Sequence, residues 1–162
     1  MTGPERSPID VRQFWKTLGE RPIGMTLVTA RHEERPAGFI ALSAAHVSAD
    51  PPLLLVSIDR STSALATVLA AGHFAINYLA AGQQPIAELF GRHSDHDQRF
   101  ASPDWTVLET GAPVLGSGLG AFDCAIERLV ELPGTVIAIG RVAAWFAKGT
   151  GDPLIFFRGK YL

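Results

Sequence analysis

Apolar residues recur at helical spacing near the start of the chain. Asp10, a residue type that favours the helix N-cap, precedes them, and Gly19 follows them and can end a helix in a left-handed conformation. The apolar face contains four residues: Val11, Phe14, Trp15 and Leu18. This spacing predicts a first helix over residues 11–18.

Two more short helices are predicted from similar patterns. One begins after Thr62 or Ser63, either of which can cap it, and ends before Gly72, whereas the other covers residues 84–90. The apolar residues of these two helices are Leu65, Val68 and Leu69 in the first and Ile86, Leu89 and Phe90 in the second.

Most other apolar residues lie in short extended runs. Residues 122–132 alternate between apolar side chains such as Cys124 and polar ones such as Asp123, which is typical of a strand with one buried face. Pro133 and Gly134 then suit the two central positions of a type II turn. The other predicted strands are residues 24–30, 36–42, 53–58, 73–79, 136–146 and 153–157.

The order of these elements favours an antiparallel barrel. Six or seven strands with two or three short helices, without regular β-α-β alternation, do not fit a doubly wound sheet. We expect one domain over residues 1–162. Residues 91–120 form a polar, glycine-rich connection, and a connection of that length is usually functional or packed against another subunit.

Composition excludes several classes of protein. Hydrophobic residues make up 47% of the chain, charged residues 19%, and the net charge is −2, so there is no basic surface for nucleic acid or an anionic membrane. No apolar run approaches the roughly 20 residues that cross a bilayer, and the N-terminus has no export-type segment. We therefore expect a soluble, cytoplasmic protein. Cys124 is the only cysteine, which rules out a disulfide framework and predicts a small core residue.

The sequence lacks the familiar catalytic motifs. It contains no G-x-S-x-G, Walker, G-x-G-x-x-G or H-E-x-x-H motif. Residues 116–120 are glycine-rich, but they neither follow a strand nor open a helix and are interpreted as a mobile loop. His93, Asp95, His96 and Asp97 are metal-capable, yet they follow a short helix in a polar connection. A solvated helix end or a phosphate neighbour is the preferred interpretation, and no metal site is predicted.

Residues 38–52 carry the most chemical information. Small residues and hydroxyls dominate this segment, which leads from a predicted strand to Pro51 and Pro52. Small side chains let a ligand approach the backbone, and free N–H groups and serine hydroxyls can bond flavin ring heteroatoms or a phosphate. A surface loop after a strand would have the same composition, and this segment alone does not separate the two interpretations.

A set of short motifs runs in order from the first helix to the C-terminus. Its members are Gly38, Ser43, Val47-Ser48, Asp50-Pro51-Pro52, Asp59, Ser61, residues 74–79, Gln83, Leu89-Phe90, Arg99-Phe100, residues 111–115, Cys124, Glu127, residues 139–142, Pro153-Leu154, residues 157–159 and Tyr161. In this order they resemble the FMN-binding split-barrel flavin reductases, the small reductase components of two-component flavin monooxygenases.

The resemblance implies a fold and an activity. The fold is a six-stranded antiparallel split barrel with short capping helices, which acts as a homodimer with FMN, or alternatively FAD, bound near the subunit interface. NADH or NADPH delivers hydride to the flavin, and the reduced flavin leaves for a monooxygenase component or reduces another acceptor. Because the cofactor carries the chemistry, few catalytic side chains are needed.

The resemblance also implies the residues that contact the flavin. They are Ile40, Ala41, Leu42, Ser43, Ala45, His46, Val47, Ser48, Asp59, Arg60, Ser61, Ser63, Phe90 and Arg99. Ile40 and Leu42 stand where the family usually has Thr and Asn or Ser, and Ala45 and His46 occupy two further hydroxyl positions. Fewer side chains are therefore left to bond the flavin than in most relatives.

Two other sets of contacts follow from the resemblance. Asp59, Arg60, Ser61 and Ser63 flank the start of the next predicted helix and can compensate as a seat for the phosphate. Thr135 stands in a turn where many relatives carry a histidine that meets the nicotinamide nucleotide, so it is a weak nicotinamide contact.

Two functions remain open from the sequence. The first is an NAD(P)H:flavin oxidoreductase, and the alternative is a flavin or haem carrier on the same barrel without reductase activity. The alternative is motivated by the loss of both the hydroxyl pattern and the turn histidine. In either case the apolar runs of a small barrel predict a homodimer.

Overall fold

The structure, a computed structural model, describes residues 8–91, 96–102 and 104–162. In these ranges the helices are α1 Val11–Leu18, α2 Leu65–Ala71 and α3 Gln84–Gly91, with a 3-10 helix at His96–Gln98. The strands are β1 Ile23–Gly24, β2 Thr26–His32, β3 Arg35–Ala41, β4 Ala45–Ala49, β5 Pro52–Asp59, β6 His73–Tyr78, β7 Trp105–Val107, β8 Pro113–Leu115, β9 Gly120–Glu131, β10 Thr135–Ala147, β11 Ile155–Phe157 and β12 Lys160–Tyr161.

Seven strands form one antiparallel sheet in the order β3-β2-β6-β9-β10-β5-β4. β3 and β4 occupy its two edges, although only residues 42–44 separate them in the chain. Ala41 of β3 and Val56 of β5 nevertheless belong to one core cluster. A sheet brings its two ends to one core only by coiling around it, so the predicted antiparallel barrel is confirmed, with seven strands in the main sheet instead of six. The barrel is open between β3 and β4.

The core lies on both sides of β3. Ala41 faces the inside of the barrel, where Phe74 and Cys124 are fully buried. Its neighbours Ile40 and Leu42 face the other side and pack against a second cluster that includes Phe90 of α3. The burial of Cys124 confirms its prediction as a core residue.

The long connection packs against the chain's own sheet. Asn77 accepts a hydrogen bond from the Leu115 N–H at 2.8 Å. Asp123 accepts hydrogen bonds from the backbone N–H of Glu109 at 2.8 Å and of Thr110 at 2.7 Å. These side chains, which point to the outer face of β6 and β9, hold the β7–β8 hairpin on that face. The predicted alternation in β9 is therefore correct, but its outer face is covered and Asp123 is fully buried.

Two predicted helix ends differ from the structure. Gly19 has φ −65° and is not left-handed, because the chain continues in a helical turn in which the Glu20 N–H bonds the Thr17 carbonyl at 3.1 Å. The N-cap of α2 is Ala64, which makes no side-chain capping bond, so neither Thr62 nor Ser63 caps the helix. The Asp10 N-cap and the left-handed Gly72 are confirmed.

The turn between β9 and β10 also differs from its prediction. Gly134 does not have the positive φ that a type II turn requires at its third position. The hairpin is closed by paired backbone hydrogen bonds between Leu132 and Thr135, at 2.8 and 3.4 Å. Pro133 and Gly134 thus form a two-residue connection as predicted, with a different backbone conformation.

The apolar face of α1 stays largely exposed among the residues that the structure describes. None of its residues is buried, and Val11, Phe14 and Trp15 are all exposed. No helix among the described residues is long and apolar enough to cross a membrane.

Candidate functional site

The turn between β3 and β4 is tied to β5 by one serine. The Ser43 hydroxyl donates to the Ser57 carbonyl at 3.1 Å and accepts from the Ser57 N–H at 3.2 Å. These bonds bridge the opening of the barrel. Since the single hydroxyl hydrogen of Ser43 is donated to a protein oxygen, this side chain can accept a hydrogen bond from a ligand but cannot donate one.

Strand β4 contains an irregularity at the predicted site. His46 pairs with Leu54 and Ser48 pairs with Leu53, so Val47 has no partner on β5 and its side chain is exposed. A bulge of this kind turns neighbouring side chains away from their regular direction. The Ser48 hydroxyl donates to the Pro51 carbonyl, so its hydrogen is also engaged.

The end of β5 carries a small polar network. Asp59 accepts from the Ser61 N–H at 2.8 Å and from the Ser61 hydroxyl at 2.6 Å, and these two bonds lower the pKa of the Asp59 carboxyl. Arg60 reaches away to the β9–β10 hairpin, where its Nε donates to the Leu132 carbonyl at 3.1 Å. Thr135 pairs with Asp59 across β10 and β5. Asp59, Arg60 and Thr135 therefore lie beside one another at the rim of the sheet.

A cavity of about 230 Å³, called here the main cavity, lies where β3, the start of α2 and the end of α3 meet. It unites five of the predicted flavin contacts: Ile40, Ser61, Ser63, Phe90 and Arg99. Its other lining residues are Gly38, Phe39, Thr62, Gly91 and His96. Gly38 is required there, because a Cβ at this position would lie 2.9 Å from the Phe90 ring.

Arg99 is the buried charge of the main cavity. Its side chain is held by the Leu89 carbonyl, which accepts from Nε at 3.3 Å, and its guanidinium lies 5.6 Å from the centre of the Phe90 ring. Nη1 of Arg99 lies 3.2 Å from Nδ1 of His96. An arginine can only donate, so Nδ1 accepts and the proton of this imidazole is on Nε2. The residue is only 7% exposed, so its charge acts in a site with little water.

A second and larger space, called here the apolar groove, has a volume of about 670 Å³. It brings together the predicted contacts Ala45, His46 and Ser48 from β4. Ala49 of β4 and Ala44, which precedes β4, also line it. Its other walls come from the neighbouring β5 and from β6, β9 and β10: Pro52, Leu53, Leu54, Ile76, Tyr78, Phe122 and Val142. The predicted flavin contacts are thus divided between the main cavity and the apolar groove, with the β3–β4 turn between them.

The remaining predicted residues lie elsewhere. Ala41 is buried in the barrel core, and Leu42 lines a separate apolar space beneath α1. Asp59 and Arg60 are exposed and line neither the main cavity nor the apolar groove.

His96 and Thr62 are the polar lining residues of the main cavity that the sequence prediction of flavin contacts missed. A signal for His96 was available, since His96 and Arg99 are three residues apart, the interval that places two side chains on one side of a helical turn.

The metal-capable run lies partly outside the described residues. His93 and Asp95 are not described, whereas His96 bonds Arg99. In the described part of the chain, no group of three or more His, Cys, Asp or Glu side chains could hold a metal ion.

Comparisons with known sequences identify related proteins along nearly the whole chain. The profile of the family described as flavin reductase like domain matches residues 18–162. The chain is 37% identical over 155 residues to the FMN reductase (NADH) RutF of Bradyrhizobium diazoefficiens, covering 96% of this chain and 84% of the relative. It is 34% identical over 153 residues to the reductase subunit HsaB of a flavin-dependent monooxygenase from Rhodococcus jostii, covering 94% of this chain and 77% of the relative.

A solved structure has the same architecture. The NADH:FAD oxidoreductase SgcE6 of Streptomyces globisporus, solved in complex with NAD and FAD fragments, matches with a TM-score of 0.86 at 30% identity. The match covers 94% of this chain and 92% of that chain.

Proposed function

Since the chain belongs to the flavin reductase-like domain family, we propose that it is an NADH-dependent flavin reductase that supplies reduced flavin to a separate monooxygenase. The observation that carries the proposal is the main cavity, in which residues from separate segments surround one buried guanidinium. Relatives that carry an NADH-dependent flavin reductase name match almost the whole chain, so the proposal concerns all of the barrel.

The main cavity suits the phosphate of a flavin nucleotide. Arg99 supplies a positive charge, and His96 supplies an N–H donor on Nε2. The hydroxyls of Thr62 and Ser63 line the same space and make no hydrogen bond to any described residue. A set made of one cation and several free donors fits an anion, and a phosphate accepts from all of them. Arg99, His96, Thr62 and Ser63 are the residues that would hold it.

The ring of the flavin is assigned to the β3–β4 turn between the two spaces. Three of the predicted serine contacts, Ser43, Ser48 and Ser61, have their hydroxyl hydrogens donated to protein oxygens. Donors to the ring must then come from backbone N–H groups. Each missing neutral hydrogen bond weakens binding by about 0.5–1.5 kcal/mol. We infer that flavin binds reversibly, as transfer to a partner enzyme requires.

The bound flavin would supply the redox chemistry, because it accepts hydride from the nicotinamide ring and carries the electrons away. The chain's own part is to hold the two nucleotides in contact and to keep water from the buried end of the site. Thr135 remains our proposed nicotinamide contact, at the rim beside Asp59.

We also propose that the protein acts as a homodimer in the cytoplasm. The apolar groove shares Tyr78 and Phe122 with a neighbouring apolar space of about 290 Å³ beside Trp145, so the two spaces form one continuous surface. A second copy of the chain is the partner that would cover this surface and the exposed face of α1.

Reductase activity can be tested with the purified chain. FMN or FAD is added with NADH or NADPH, and loss of the near-ultraviolet absorbance of the nicotinamide is followed. We expect flavin-dependent turnover that is faster with NADH. Arg99→Ala should raise the KM for flavin at least about tenfold, since a charge-assisted contact to phosphate is lost. Arg141→Ala is the matched control, because Arg141 is exposed and bonds only Glu127 among the contacts described.

The carrier alternative makes a different prediction for the same samples. A flavin or haem carrier would bind its ligand, visible in the absorption spectrum during titration, without oxidising NADH faster than free flavin does. Folded protein with no turnover on either nicotinamide nucleotide would refute the reductase proposal.

A further inference from the structure

Three aromatic rings, called here the aromatic cluster, pack together beside the main cavity. Phe90 belongs to the last turn of α3, Phe100 to the connection that follows it and Trp105 to β7. The ring centre of Trp105 lies 5.9 Å from that of Phe90 and 4.9 Å from that of Phe100. The centres of Phe90 and Phe100 are 5.2 Å apart. Each ring therefore contacts the other two, and none can move without displacing a neighbour.

Two members of the aromatic cluster determine where the Arg99 side chain lies. The Phe90 ring lies 5.6 Å from the guanidinium, and the carbonyl of the preceding Leu89 accepts from Nε. Phe100 follows Arg99 directly in the chain, so the position of its ring fixes the backbone next to the arginine. A shift of either ring would move the guanidinium from its place in the wall of the main cavity.

Trp105 is the member of the aromatic cluster that lines neither the main cavity nor the apolar groove. Its side chain is half-buried and packs in the same core cluster as Phe90. Its backbone is also fixed, because Trp105 pairs with Leu115 of β8, whose N–H donates to Asn77 of β6. A continuous series of contacts thus leads from the main sheet through Trp105 to the rings that hold Arg99.

We propose that Trp105 is a positioning residue for Arg99 and thereby determines how strongly the enzyme prefers a flavin that carries a phosphate. The inference rests on the proposed function, in which Arg99 holds the flavin phosphate. Because the aromatic cluster keeps the guanidinium in place before the ligand arrives, less freedom is lost on binding. Trp105 acts through the two phenylalanine rings and does not touch the flavin, so its effect is confined to the phosphate.

The test compares FMN with riboflavin, which has the same ring and ribityl chain but no phosphate. Calorimetry measures the dissociation constants of both oxidised flavins for wild-type protein, Trp105→Leu and Thr106→Leu. Thr106→Leu is the matched control, because Thr106 is exposed and its side chain leaves β7 on the opposite face. We expect Trp105→Leu to weaken FMN binding about five- to tenfold, with riboflavin binding and the control within about twofold of wild type.

Two further variants separate positioning from general damage to the fold. Trp105→Phe keeps an aromatic ring in the cluster and should retain most of the FMN affinity. Trp105→Leu combined with Arg99→Ala should bind FMN as Arg99→Ala alone does, because the group that Trp105 positions is already absent. Thermal unfolding verifies that each variant is folded. If Trp105→Leu is not, Trp105→Met takes its place with the same expectation, since it also lacks a ring but adapts to an irregular space.

The outcomes distinguish this inference from the proposed function. Equal losses for FMN and riboflavin, an unchanged FMN affinity in Trp105→Leu, or a further loss in the double variant would each overturn the positioning role. If Arg99→Ala weakens FMN binding and Trp105→Leu does not, only the positioning role is refuted and the phosphate assignment stands. Folded wild-type protein that neither binds nor reduces flavin would refute the proposed function instead.

Discussion

His73, at the start of β6, is a titratable side chain with an incomplete set of partners. Its Nε2 atom is buried and has no hydrogen-bond partner among the described residues. Burial lowers the pKa of His73 below the ordinary 6.5, although the nearby charge of Asp123 acts in the opposite direction. The neutral imidazole is therefore the form that the folded protein favours.

Stability should consequently depend on pH through His73. Because its pKa is lower in the folded chain, the unfolded chain binds the proton more readily, and stability falls as the pH drops below about 6.5. His73→Asn should flatten this part of the profile, whereas His46→Asn, at an exposed position, should leave it unchanged. Urea unfolding at about pH 7.5 and about pH 5.5 measures both. An unchanged pH slope in His73→Asn would contradict the prediction.

The buried Asp123 side chain holds the β7–β8 connection against the sheet. Its carboxylate accepts three hydrogen bonds from the β7–β8 connection, two from backbone N–H groups and one from the Thr110 hydroxyl at 2.5 Å. Asp123→Ala would leave those buried donors unpaired and should lower the free energy of unfolding by about 2–4 kcal/mol. Asp123→Asn keeps one acceptor oxygen and should cost less. Glu127→Ala, at an exposed site of the same strand, should change stability by no more than about 1 kcal/mol. Denaturant titration that finds equal losses in the three variants would contradict this account.

At the scale of single elements, strands β9 and β10 determine how closely the barrel wall approaches its core. Gly140 of β10 lies at a register shift between the two strands. A Cβ there would lie 2.7 Å from the Cys124 Cβ and 2.8 Å from the Phe74 ring. The absence of a side chain at this position lets the fully buried Phe74 ring fill the centre of the barrel.

Two glycines of this hairpin should therefore respond differently to the same substitution. Gly140→Ala should lower the free energy of unfolding by about 1–3 kcal/mol, because its Cβ would overlap the buried Phe74 ring and the Cys124 side chain. Gly134→Ala places its Cβ in open space at a residue without positive φ, and should be neutral or stabilise by up to about 1 kcal/mol. Thermal and urea unfolding measure the two effects. Equal stability of the two variants would show that the core tolerates a side chain at 140.

Large apolar side chains are exposed on the surface of the molecule. Trp145 is 66% exposed and Trp15 is 55% exposed, and each lies beside an apolar space. Exposed aromatic side chains beside apolar spaces are typical of an interface in soluble proteins. A pair of chains that covered this surface would also enclose the β3–β4 turn, where we propose that the flavin ring binds.

We predict that the protein is a dimer in solution. Light scattering should find a mass twice the 17.3 kDa of the chain at micromolar concentration. Trp145→Glu should shift the protein towards the monomer, because it places a charge in the proposed contact, whereas Leu69→Glu on the outer side of α2 should not. A wild-type protein that remains monomeric would refute the dimer and leave the fold unaffected.

The sequence alone determined the elements and the class of fold. Periods of two and of three to four residues predicted nearly every long strand and helix, since the direction of a side chain is a local property of the backbone. Turn conformations were less predictable: Gly19 and Gly134 adopt ordinary φ values because neighbouring backbone bonds, and not the residue type, decide the turn.

Tertiary structure decided which polar groups are available to a ligand. Ser43, Ser48, Ser61 and Ser63 were all predicted as flavin contacts. The hydroxyl hydrogens of the first three are donated within the protein, whereas the hydroxyl of Ser63 makes no bond to any described residue. The partner of Ser43 is 14 residues away along the chain. The residues of the main cavity are brought together only when β3, α2 and α3 pack. Local periodicity carries no information on such pairings, because they depend on which segments the coiled sheet places side by side.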